Sequence, residues 1–169
     1  MLLQHPTALA PARPWPRWPL LTILTILFAG PIAAPLFQAS GVGPMIGLGG
    51  LAHDLLATYI CPTPAKSYFV ASFPMAVCAR CWGATIGLWL GYALFRRGTP
   101  ALGGWLALPW LARLGIAALP FWLWVAEIVR WEAAPLPILL LNGALAGLAA
   151  GLFFCSIWPG MRPGDIARE

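Results

Sequence analysis

The chain has 169 residues, of which 60% are hydrophobic and 9% are Asp, Glu, Lys or Arg, whereas soluble domains carry about 25% charged residues. This is a membrane protein by composition, and a chain of this length has room for four or five spans of about 20 apolar residues with no separate soluble domain. The net charge of +5 sits in small groups between apolar runs, the pattern that orients membrane helices, so the lipid bilayer is the expected partner and nucleic acid is not.

Residues 1–18 hold four prolines with Arg13 and Arg17 and show no apolar periodicity, which predicts a mobile tail ending at interfacial Trp15 and Trp18. A span over 19–38 follows. Its apolar run is longer than the ~7–15 residues of a signal peptide core, and further hydrophobic segments come later, so it reads as an uncleaved first span. Residues 45–60 form a moderately apolar helix that stops at Pro62 and Pro64 and opens an outer segment, 45–76, holding a cysteine loop. Spans over 77–95, 113–131 and 136–158 complete a single domain over 19–158, with residues 159–169 as a second tail.

Arginine positions decide whether 45–60 crosses the membrane. With four spans, Arg13, Arg17, Arg96, Arg97, Arg113, Arg162 and Arg168 fall on one side and Lys66, Arg80 and Arg130 on the other. Seven against three puts both termini in the cytoplasm under the positive-inside rule. A fifth span would move Arg96 and Arg97 outside. The expected fold is therefore all-α, a polytopic bundle of four transmembrane helices plus a partly embedded outer helix. Residues 99–112 lie along the inner interface, because a span starting near 105 would bury Arg113 at a cost of a few kcal/mol. Pro120 should kink the third span.

Two glycine ladders match in length and direction: Gly83, Gly87 and Gly91 in the second span, Gly143, Gly147 and Gly151 in the fourth. Glycine at every fourth position lines one helix face, and such faces let membrane helices approach closely. The two helices are expected to pack in parallel with their first glycines level.

Four cysteines occur. Cys155 lies three turns below Gly143, about 18 Å toward the cytoplasm, out of reach of the others, and reads as a packing residue. Cys78 and Cys81 share one face of a first helical turn, where exposed backbone N–H groups, the positive helix end and Arg80 all favour thiolate. Cys61 sits in a proline-bounded loop able to fold back over that turn. With His53, the set Cys61, Cys78 and Cys81 offers three sulfurs and one imidazole, the ligand types of a Cys₃His metal site. Asp54 adjoins His53. Glu127 and Arg130 stand three apart at the outer end of the third span, able to pair; Arg80 and Glu127 are the supporting polar residues.

The stretch "ICPTPAKSYFVASFPMAVCARCWGATIGLWLGY" resembles a bacterial family of small integral membrane proteins of unknown function, whose members carry Cys-His-Gln, a Ser-Phe-like pair and Cys-Ala-Arg-Cys-x-Gly at the start of a span. The matching positions are Cys61, Ser67, Tyr68, Cys78, Arg80, Cys81, Gly83 and Gly87. Two features depart from it. Pro62 and Thr63 replace His-Gln, and Asn142 stands where the family's last helix usually has arginine. The resemblance implies a fold and a motif in a bacterial inner membrane, without a reaction.

Three readings follow. One is a metal-binding membrane protein using zinc, copper or iron, with His53 or Glu127 as fourth ligand. Another is a non-enzymatic subunit of a membrane complex, in contact with another membrane protein or a second copy and stapled by an outer disulfide. The third is a membrane thiol–disulfide oxidoreductase, for which a second exposed cysteine pair is missing. Whether the chain is an enzyme stays open at this point.

Overall fold

The computed structural model describes residues 15–61, 63–131, 133–161 and 163; most of the N-terminal tail, the end of the C-terminal tail, and Arg13, Pro62, Arg162 and Arg168 lie outside the described residues. The helices are α1 (Trp18–Ala39), α2 (Gly43–Tyr59), α3 (Ala79–Arg97), α4 (Pro100–Ala107), α5 (Trp110–Arg130) and α6 (Leu136–Ile157). The chain is thus mostly helical, as an all-α fold requires. A short antiparallel hairpin, β1 (Phe69–Val70) and β2 (Phe73–Pro74), lies between α2 and α3 and was not expected.

By length and composition, α1 and α6 are apolar enough to cross a membrane. A third crossing arises if α4 and α5, bent by 114° at Leu108 and Pro109, count as one broken span. α3 is not among these candidates. Between Arg80 and Arg96 it has only fifteen uncharged residues, short of the ~20 that a lone span needs. The expected third span, α5, starts earlier than expected, at Trp110, so Arg113 occupies its first turn.

Packing shows how the helices run. Trp15 stacks edge-on against Trp158, and its N–H donates to the Pro159 carbonyl at 3.1 Å, so the start of α1 meets the end of α6. α2 folds back along α1: Gly49 lies against the backbone of Ala34 and Gln38, and Gly30 faces Leu56. The outer side of α2, with Met45, Leu48, Leu51 and Leu55, is exposed.

α3 and α6 form the centre. A Cβ added at Gly83 or Gly87 would fall on the carbonyl of Leu140 or Ala144, and one added at Gly143 or Gly147 on the carbonyl of Arg80 or Ala84. The two backbones are therefore in contact, parallel and in step, and any side chain at these four positions would force them apart. At Gly91 and Gly151 the nearest carbonyl would stand 2.9 Å away, so the pair opens slightly toward its far end. There, Leu24, Tyr92, Phe95, Leu102, Cys155 and Met161 form a buried apolar cluster.

Candidate metal centre

Cys61 follows α2, Cys78 is the N-cap residue of α3, and Cys81 lies in that helix's first turn. Their three sulfurs lie within 4.8 Å of one another. All three side chains are buried, none forms a disulfide, and they pack with Val77 beneath Leu56, Trp82 and Trp124.

The intervening loop brings these sulfurs together. The hairpin reverses the chain: the Met75 N–H donates to the Tyr68 carbonyl at 2.8 Å, and the Ala79 N–H to the Lys66 carbonyl at 2.9 Å. Buried Ser67 shares its hydroxyl proton between the Pro64 carbonyl at 2.5 Å and the Val77 carbonyl at 3.0 Å. α1 supplies the last tie. Pro35 has no N–H, so the Pro31 carbonyl four residues earlier lacks its helical donor; it accepts instead from the Ala76 N–H at 3.4 Å. The turn of the hairpin is costly, because Ala71 and Ser72 both have positive φ, 50° and 70°, in a region that non-glycine residues rarely adopt.

The first turn of α3 has backbone donors to spare. The Cys78 N–H points to the Cys61 sulfur at 3.1 Å, and the Cys81 sulfur lies 3.9 Å from the Ile60 carbonyl. Charge is shared unequally among the thiols. Hydrogen bonds from Cys61 and Cys81 hold the Cys78 thiol well below the ordinary range, while donating to Cys78 pushes Cys61 up. Cys78 also stands at the N-terminus of α3, whose positive end favours charge on a thiol.

Arg80 pairs across to another helix. Only 1% exposed, it reaches from α3 to α5, where Nη2 donates to Glu127 Oε1 at 2.5 Å. Asn142 of α6 donates to Glu127 Oε2 at 2.6 Å. The expected partner, Arg130, is exposed and not in this network. The Glu127 side chain is only 8% exposed, and a carboxylate taken out of water needs a partner charge at its own depth, whereas an arginine at a helix end can reach water. The role of Asn142 was missed. Its signal was present: it is the first polar side chain in an otherwise apolar helix, and buried polar groups there mark interaction sites.

His53 stands apart from the group of three. Its Nδ1 faces Asp54 Oδ1 at 3.5 Å, and among the described residues no histidine or carboxylate joins the three sulfurs. Cys155 lies in the apolar cluster at the opposite end.

No curated protein and no solved structure matches the chain. Residues 61–153, from the first cysteine of the cluster into the last helix, match a family described as Predicted membrane protein (DUF2085), whose function is unknown. That match covers more than half of the chain, and the chain belongs to this family of predicted membrane proteins.

Proposed function

We propose that the chain is a four-span membrane protein that holds a thiophilic metal ion on Cys61, Cys78 and Cys81 at its outer edge. The observation that carries this reading is the convergence of three buried sulfurs within 4.8 Å. Three sulfurs bound to one ion at about 2.3 Å would stand roughly 4 Å apart, so a small contraction closes the site. Thiolates favour zinc, copper(I) or iron over magnesium or calcium. With three protein ligands and no fourth histidine, cysteine or carboxylate beside them among the described residues, the ion would keep an open position for an exchangeable ligand, the arrangement of working rather than purely structural zinc sites. Glu127 is committed to Arg80 and Asn142, and His53 to Asp54.

The membrane placement rests on packing and charge. α3 lies backbone to backbone with α6, so it crosses wherever the apolar α6 crosses. Its one charge between the two ends of that contact, Arg80, is neutralised by Glu127. α1, α3, α5 and α6 are then the four spans, α2 and the hairpin cover the outer end, and the termini lie in the cytoplasm of a bacterial inner membrane. Arg17, Arg96, Arg97 and Arg113 gather at the inner end, in agreement with the positive-inside rule.

The test is metal content of detergent-purified protein by elemental mass spectrometry, beside a Cys78→Ser, Cys81→Ser variant with the same elution volume. About one equivalent of zinc, copper or iron, lost in the variant, is the expected result. No metal in either sample, with two of the three thiols blocked to alkylation until reduction, would replace the metal site by a disulfide and revive the redox or structural reading.

A further inference from the structure

Two residues after Cys61, the loop places a hydroxyl beside the sulfur cluster. The Thr63 carbonyl accepts from the Lys66 N–H at 3.1 Å, closing a tight turn that the Ser67 hydroxyl ties to the Pro64 carbonyl. This turn fixes the backbone of Thr63 while its side chain faces Cys78, whose thiol it lowers together with the thiols of Cys61 and Cys81. Thr63 Oγ1 is nevertheless buried and completes no hydrogen bond. A buried hydroxyl left so is costly, and its proton is free for an acceptor at the site.

Metal binding would create that acceptor. Thiols must shed their protons to bind an ion, so Cys61 and Cys81 would cease to donate to Cys78 and become anions beside it. Three thiolates on a divalent ion leave net negative charge among Val77, Leu56, Trp82 and Trp124. The nearby cation, Arg80, is committed to Glu127. The donors that remain carry no thiol proton: the Cys78 N–H serves the Cys61 sulfur at 3.1 Å, while the Cys81 N–H and the Thr63 hydroxyl serve Cys78. Of these, the hydroxyl is the one belonging to a side chain.

We infer that Thr63 is a positioning residue of the metal centre, its hydroxyl donating to the Cys78 sulfur once the three sulfurs close on an ion. The inference rests on the metal reading. Such a donor draws charge from the sulfur and fixes its orientation, as outer hydrogen bonds do for metal ligands in general.

The test strips the detergent-purified full chain with a chelator and reloads it with zinc or with cobalt(II), whose thiolate charge-transfer absorption reports on the sulfurs. Thr63→Val keeps the shape and removes the hydroxyl, and Thr63→Ser keeps the hydroxyl. Zinc binding should weaken about tenfold or more in Thr63→Val and recover in Thr63→Ser. The cobalt absorption should move to longer wavelength in Thr63→Val alone, because a sulfur without its donor gives up charge more readily. Unchanged affinity in Thr63→Val overturns the inference and leaves the metal reading intact. So does weakened binding with an unmoved absorption, the mark of a merely structural role, or an equal loss in Thr63→Ser. No uptake by the unaltered chain overturns both readings. If Thr63→Val does not fold, judged by elution volume, Thr63→Ala is read by the same two signals.

Discussion

Cys78 and Cys155 are both buried thiols, 0% and 2% exposed, at opposite ends of the same helix pair. Around Cys78 stand two further sulfurs, a helix N-terminus and the buried Arg80–Glu127–Asn142 network. Around Cys155 stand Leu24, Tyr92, Phe95, Leu102 and Met161. Backbone packing follows the same gradient, since α3 and α6 touch at Gly83, Gly87, Gly143 and Gly147 and relax toward Gly91 and Gly151. At one end the backbones touch beside a polar network, and at the other they stand slightly further apart beside an apolar cluster. A cysteine becomes a site candidate through what converges on it, and burial alone does not distinguish the two.

The sharpest way to break this contrast is to enlarge a glycine at each end. Gly147→Ala would drive a methyl group into the Ala84 carbonyl, and overpacking against backbone should cost about 3 kcal/mol, read in a denaturant titration and as loss of a monodisperse peak in detergent. Gly151→Ala, at the relaxed end, should cost about 1 kcal/mol in a denaturant titration. Equal effects would mean the gradient is not real.

Next in size is the polar network. Glu127→Ala leaves Arg80 buried without its counter-charge, and breaking a buried pair from one side costs about 3–5 kcal/mol. Arg130→Ala, exposed and three residues away, should change the unfolding midpoint by no more than about 0.5 kcal/mol. A larger loss in Arg130→Ala than in Glu127→Ala would restore the pairing read from their spacing.

The thiols themselves come third. Cys155→Ser puts a hydroxyl among apolar side chains and should destabilise by about 1–3 kcal/mol while leaving metal content unchanged. Cys78→Ser should remove the metal. The smallest expected effect is a gain. Ser72→Gly relieves a positive φ of 70° and should stabilise by about 0.5–1 kcal/mol, measured as a raised thermal midpoint with no change in metal content.

Much of this architecture was legible in the residues. Apolar runs bounded by proline and arginine marked α1, α2, α3, α5 and α6 to within a few residues, because helix ends and membrane length are local properties. The two glycine ladders announced a helix pair, since a four-residue repeat of small residues has few other uses in lipid. The hairpin was not legible: Ala71 and Ser72 stand where a two-residue turn with positive φ usually has Asn or Asp followed by Gly. The approach of Cys61 to Cys78 depended on a loop whose path is set by Ser67 and by the carbonyl that Pro35 frees on α1.

By itself, then, the sequence determined a membrane chain of mostly apolar helices, the pairing face of α3 and α6, and a Cys-x-x-Cys pair at a helix start. Only the tertiary structure decided which polar groups meet. It gave Glu127 to Arg80 rather than Arg130, drew Asn142 into that network, and left His53 with Asp54, outside the sulfur cluster. The reason is that helix periodicity is written into neighbouring residues, whereas the partner of a buried charge is whichever opposite group the packed helices bring to the same depth in a low-dielectric interior.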